Sequence, residues 1–356
     1  MAGAARTTLK GVSPAALCLV AFLACVLSAS PAPAADWVKQ GPVLSVIEEN
    51  DVLFNTDRHY TQGFKISFLH EDDYFPPFAG WAKSLSDAIP RLGFERQVDK
   101  FGYTFGQSIF TPTDLRATQL LKDDRPYAGW WYTGLILQRR GMLAGRIPVQ
   151  ENFQVDLGVI GRHSFAQEVQ TGVHEWRGFD VPKGWGNQLH DEPGIALKYE
   201  RSWLFSPTGS GTRWLDVIPH AGMSLGNVET AFRIGTLLRF GYNMPNDFGV
   251  ETISSLTTPA GGRPPKADRN WKDELGFYIF GGGEASTVLY TAFLDGNMFR
   301  SSHSVEKEYF VAEWKIGVVF VLNAVELGFS YVYRTPQFVD QRKNDVYGSV
   351  SLKARF

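Results

Sequence analysis

Past its first 34 residues this chain of 356 has no cysteine, because Cys18 and Cys25 both lie in the opening segment. A disulfide framework and a thiolate metal site are therefore excluded from the rest. Beyond residue 35 no uninterrupted apolar run reaches the roughly 18 residues that a membrane-spanning helix requires. No run of Lys or Arg marks a nucleic-acid surface. Internal repeats and low-complexity tracts are also missing.

The opening segment has a character of its own. Arg6 and Lys10 precede "GVSPAALCLVAFLACVLSAS", and "PAPAAD" follows, with Ala32 and Ala34 flanking Pro33. Basic residues, a short apolar run and a small-residue site describe a secretory signal peptide, with cleavage expected after Ala34. A lipoprotein cut at Cys25 would fall inside the apolar run. Of the 35 Lys and Arg, Arg6 and Lys10 leave with this peptide, so 33 basic residues face 37 acidic ones, a formal charge of −4. The expected division is a cleaved peptide over 1–34 and one exported domain over 35–356.

What the remainder has in abundance is alternation. In "AFRIGTLLRFGY" (231–242), Phe232, Ile234, Leu238, Phe240 and Tyr242 share a face opposite Arg233, Gly235 and Arg239. "VELGFSYVYR" and the C-terminal "DVYGSVSLKARF" repeat the pattern, the last ending in Phe356 on an apolar face. Runs of about ten residues with polar groups on one side fit membrane-spanning strands better than ordinary strands of five or six. A soluble β-protein is the alternative, but the recurring Arg and Lys suit a polar lumen. Strands are expected at 43–49, 61–70, 100–110, 128–139, 150–161, 193–204, 214–226, 229–242, 275–293, 308–320, 322–334 and 345–356. Gly281-Gly282-Gly283 reads as a bulge or bend within one strand. The expectation is an all-β fold, a twelve-stranded antiparallel transmembrane β-barrel of the bacterial outer membrane. With both termini periplasmic, the segments 50–60, 111–127 and 162–192 lie on the extracellular side. "FAGWAKSLSDAI", in the periplasmic connection 71–99, suggests a short amphipathic helix at the inner rim.

Three of these segments carry candidate chemistry, and one motif elsewhere is a decoy. "GMSLG" (222–226) matches a serine-hydrolase pattern but runs from strand to strand. Asp216, His220 and Ser224 are four residues apart on one face, about 13 Å along a strand. Asn50 and Asp51 end the first strand and Thr61 begins the second, an oxygen-rich corner that reads as turn chemistry or as half of a Ca²⁺ site. In "GRHSFAQEVQTGVHEWRGFD" (161–180), a helix over 166–176 places Gln170 and His174 on one face, with Asp180 six residues on. His174 is a candidate base or a surface histidine. Arg116, Lys122 and Arg125 are lipid-phosphate ligands or solvated loop charges.

In combination, "END" before "DRHYTQG", then "GQSIFTP", "DRPYAGW", and "GVIG" followed by "QEVQTGVHEW", the chain resembles the outer-membrane lipid A 3′-O-deacylases. The resemblance implies a twelve-stranded barrel that removes the 3′-linked acyloxyacyl chain of lipid A, with Ca²⁺ as cofactor. Carried over by residue, Asn50, Asp51, Thr61, Gln170 and His174 match active-site positions. Asp180 stands where the family has a glutamate, and Val52 where it has a second aspartate. Arg116 is the plausible counterpart of a family cation, with Arg125 a second substrate-binding candidate. The implied mechanism has His174 activating water, Asp51 and Asp180 with Asn50 or Thr61 holding Ca²⁺ at the oxyanion, and Gln170 and Thr61 orienting the water or the imidazole. The expected partners are lipopolysaccharide and outer-membrane lipids, with the protein a monomer and its site at the extracellular side. A non-enzymatic porin or adhesin and an outer-membrane phospholipase are the alternative functions.

Overall fold

The computed structural model describes residues 40–51, 59–208, 214–253 and 275–356; the expected signal peptide and Val52 lie outside them. Twelve strands form a closed antiparallel barrel: β1 (Val43–Asn50), β2 (His59–Leu69), β3 (Phe94–Thr111), β4 (Ala128–Leu143), β5 (Ile147–Ile160), β6 (Glu192–Trp203), β7 (Leu215–Gly226), β8 (Glu229–Tyr242), β9 (Leu275–Thr291), β10 (Phe310–Leu322), β11 (Val325–Arg334) and β12 (Asp345–Arg355). Each strand pairs with its chain neighbours. β1 closes on β12 from Val43↔Arg355 to Asn50↔Gly348. Among the described residues no helix is long and apolar enough to cross a membrane.

Alternation sorts the side chains as the sequence implied. Phe232, Ile234, Leu238 and Phe240 are each about half exposed on the outer face, the belt that a lipid-embedded barrel presents. Charges turn inward and pair. Lys65 meets Glu251 at 2.8 Å; Arg239 lies between Asp216 and Asp247; Lys353 is 2.9 Å from both Asp247 and Glu326. These groups are almost fully buried, so each charge depends on its partners for the hydration it has lost.

One connection enters the barrel at the end where β1 begins and β12 ends, and another lies against the outer face of β3 and β4 there. After β8 the chain turns into the lumen. Met244, Phe248 and Val250 pack with Leu204, Ile218, Leu237 and Tyr278, and the Ile253 N–H donates to Glu49 Oε1 at 2.9 Å. The expected rim helix is present as α1 (Gly80–Ala88). Arg139 reaches it from β4, donating to the carbonyls of Ser86, Ile89 and Pro90 and to Glu151. Toward the opposite end the lumen opens into a cavity of ≈ 160 Å³ whose lining includes Tyr60, Ser108, Phe110, Lys198 and Glu284.

Two sequence readings are settled here. The Gly281–Gly283 run is not a bulge, since both ladders continue through it in one strand; the register shift of β9 falls near Leu289, where Thr230 pairs with Tyr290 and Ala231 with Val288. The "GMSLG" group forms no triad. Asp216 pairs with Arg239, His220 with Glu284, and Ser224 donates to Glu229.

Candidate active site on the outer wall

The site is built from a helix laid against the outside of the barrel. Ser108 and Phe110 of β3 line the lumenal cavity, so the alternate residues Gln107 and Ile109 face outward. Gln107 donates to the Ser164 carbonyl at 2.6 Å, and Ile109 packs with Leu115, Tyr127, Ala166 and Trp185. Helix α2 (Ala166–Arg177) therefore starts against the outer face of β3 and β4. Gly129 of β4 makes this approach possible, because a Cβ there would collide with Ser164 and Ala166. At the other end of α2, Arg177 attracts the Glu48 carboxylate on β1. Three strand spacings of about 4.8 Å separate β4 from β1, and twelve helical residues span about 18 Å. The helix thus crosses the wall from β4 toward β1.

Its wall-facing stripe is Ala166, Gln170 and His174, all buried. Polar residues at two of three buried positions are unusual for a stripe that seats a helix. Gly178, with φ 71°, ends the helix in the left-handed conformation, and the Phe179 N–H closes on the His174 carbonyl at 2.8 Å. This reversal brings the Asp180 carbonyl to 2.7 Å from His174 Nδ1. A carbonyl only accepts, so Nδ1 carries a proton, and in the neutral imidazole the lone pair therefore lies on Nε2. The returning chain also brings the Trp185 N–H to 3.0 Å from Gln170 Oε1.

Across the wall, Asn50 shares the outward face of β1 with Glu48, which accepts from Gln62 at 3.0 Å. Asp51 is buried, and its N–H donates to the Thr61 carbonyl. Thr61 is the extra residue of a β-bulge, since Tyr60 pairs with Phe110 and Gln62 with Ile109. A bulge re-aims the side chain it inserts. Tyr60 lines the lumenal cavity, while the Thr61 hydroxyl lies 2.7 Å from Thr111 Oγ1. Asn50, Asp51 and Thr61 thus meet at one corner, toward which the His174 end of α2 is directed.

Three of the expected site residues sit differently. The Asp180 carboxylate turns outward to Arg116, whose Nε donates to it at 3.0 Å, and both side chains are mostly exposed. Asp180 faces His174 only through its carbonyl. Arg116 is accordingly in a surface ion pair, and its hydrogen bond to Asp180 raises its pKa. Arg125 does not join the wall site. It stacks over Phe110 at 4.8 Å on the lumenal side and donates to Gln337, and burial pushes its pKa down to about 10. Among the described residues no group of three or more His, Cys, Asp or Glu is arranged to hold a metal. The sequence reading missed Trp185, Gly129 and Thr111. Gly129 and Thr111 lie within "DRPYAGW" and "GQSIFTP" without standing out there, and Trp185 left only the flanking glycines of "KGWGN".

A family profile described as outer membrane protein LpxR matches residues 20–356. No curated protein matches the chain. Among solved structures, LpxR from Salmonella typhimurium aligns at 20% identity over 88% of this chain and 100% of its own, with a TM-score of 0.67. The β domain of the Bordetella autotransporter Brka (12% identity, 89% and 98% covered) and the transport unit of AIDA-I from Escherichia coli (9%, 90% and 91%) reach only 0.38 and 0.36. Matched from residue 20 to its last residue and folded as the same kind of barrel, this chain belongs to the LpxR family of outer membrane proteins.

Proposed function

We propose that this protein hydrolyses the 3′-linked acyloxyacyl ester of lipid A at the outer surface of the barrel wall. The observation that carries this reading is the buried polar stripe of α2, in which Gln170 and His174 face the wall instead of solvent. Such a stripe is costly where a polar atom lacks a hydrogen bond, and among the described residues Gln170 Nε2 has none, the kind of local cost that functional sites carry. A site on the outside of a barrel is reached from the lipid layer, which suits a lipid substrate. With both termini periplasmic, the helix lies at the extracellular end, on the lipopolysaccharide side.

In the proposed reaction His174 Nε2 takes a proton from water while Nδ1–H stays on the Asp180 carbonyl. The water oxygen bonds to the ester carbonyl carbon, the acyl C–O bond breaks, and His174 returns the proton to the departing sugar oxygen. Deacylated lipid A and a free acyloxyacyl acid result, with no covalent enzyme intermediate. Asp51, Asn50 and Thr61 form an all-oxygen donor set that fits Ca²⁺; bound there, the ion supplies positive charge for the developing oxyanion. In this conformation Asp180 adds no carboxylate to that set, because Arg116 holds it.

The test is mass spectrometry of lipid A from cells expressing the protein, with and without Ca²⁺, beside His174→Ala. Loss of one acyloxyacyl group, requiring Ca²⁺ and His174, is the expected result. Unchanged lipid A with the protein in the membrane would refute the reading, and phospholipid breakdown would redirect it to a phospholipase.

A further inference from the structure

We infer that Trp185 is a positioning residue for this reaction: its indole fixes the Gln170 amide so that the Nε2 hydrogens face the reacting ester oxygen. An indole N–H only donates, so the 3.0 Å contact requires the oxygen of Gln170, not its nitrogen, to face Trp185. The amide orientation is thereby chosen. Gln170 is 1% exposed, and among the described residues its Nε2 has no hydrogen-bond partner. A buried amide donor held away from water and without a protein acceptor is poised for an oxygen brought by the substrate.

Trp185 is well placed to impose this choice. It is 2% exposed, its ring lies 4.8 Å from that of Tyr127, and it packs with Ile109, Leu115 and Ala166. Gly184 permits the fit, since a Cβ there would press on the Tyr127 ring. Gln170 precedes His174 by one helical turn, about 6 Å, so donor and base bracket a carbonyl from the same side. The return segment therefore sets both groups. The Asp180 carbonyl fixes the tautomer of His174, and the Trp185 N–H fixes the amide of Gln170. With its oxygen engaged, Gln170 acts as a donor to the ester, not as an acceptor for the attacking water. The kinetic part of this inference rests on the deacylase reading; the bond itself does not.

The experiment is carried out on the full chain in detergent micelles. In ¹H–¹⁵N spectra, Trp185→Phe identifies the Trp185 indole cross-peak among those of the ten tryptophans, and Gln170→Ala is expected to shift it. On lipid A, Gln170→Ala should lower kcat about 100-fold, as loss of an oxyanion donor does. Trp185→Phe should lower it about 10-fold with KM within about twofold, and the double variant should match Gln170→Ala within about twofold. The acidic limb of the pH–kcat profile should stay in place in Trp185→Phe, because the Asp180 contact to His174 is untouched. Should Trp185→Phe misfold, Gln170→Glu keeps an acceptor for the indole and removes the donor; it must show the kcat loss. An unmoved indole peak in Gln170→Ala, or losses that multiply in the double variant, would overturn the inference. A shifted peak in a protein with no activity on lipid A would leave the positioning bond intact and refute the deacylase reading instead.

Discussion

Gly129→Ala adds one methyl group at the point where α2 touches the wall. The new Cβ would lie 3.0 Å from Ser164 Cβ and closer still to Ser164 Oγ and Ala166 Cβ. Carbon atoms in contact prefer about 3.5–4.0 Å, so the start of the helix must retreat by about 1 Å. Rotation of the Ser164 side chain relieves one clash, but Ala166 has nothing to rotate. The barrel itself should survive, since the ladder at Gly129 is made by backbone groups pairing with Ile109 and Gly161. A misplacement of about 1 Å between catalytic groups and a bound ester costs about 100-fold in rate. Lipid A hydrolysis should therefore fall by about that factor while heat-modifiable migration on a semi-native gel stays that of a folded barrel. A fully active Gly129→Ala protein would show that the seating of α2 does not position the reacting groups. Loss of the folded band would mean that the helix is part of what holds the wall together.

Three further predictions concern single side chains. Asp51→Ala should reduce hydrolysis most at low Ca²⁺ and recover partly as Ca²⁺ is raised; a titration curve superimposable on that of the wild type would remove Asp51 from the ion's donor set. Asp180→Asn should leave the rate within about threefold, since His174 uses the backbone carbonyl, and a total loss would mean that the carboxylate leaves Arg116 during catalysis. Asp247→Ala should lower the barrel's unfolding midpoint in urea at neutral pH. Breaking a lone buried pair costs about 3–5 kcal/mol, but Arg239 keeps Asp216 while Lys353 and Arg355 keep Glu326, so a smaller loss of about 1–3 kcal/mol is expected. Burial opposes ionisation of Asp247, yet Lys353, Arg239 and Arg355 together hold its pKa below the usual carboxylate range. Its contribution is thus complete above about pH 4 and fades as the pH falls further; an unfolding midpoint independent of pH through that region would contradict the pairing.

The strands were legible because a lipid-embedded barrel writes a period of two into every segment, and strands such as Glu229–Tyr242 fall where alternation put them. Helix α2 was legible from the spacing of Gln170 and His174 within 166–176. What alternation does not encode is which side of the wall a loop folds onto. Arg116 and Arg125, nine residues apart, end on opposite sides because Asp180 draws one to the surface and the inward Phe110 ring receives the other. The bulge at Thr61 was equally hidden. Its effect depends on the partner strand, and the facing residues Ile109 and Phe110 of β3 lie nearly fifty residues further along the chain. The orientation of Asp180 follows from the geometry of the helix end, which the identity of one acidic residue does not reveal.

The ion-paired lumen has a consequence for the cell that carries this protein. On the proposed reading, catalysis on the wall leaves the interior no duty to admit substrate, and the charges beside Asp247 can be packed as densely as folding allows. Chemistry on the wall, as proposed, and the packing of the interior are thereby uncoupled within one barrel.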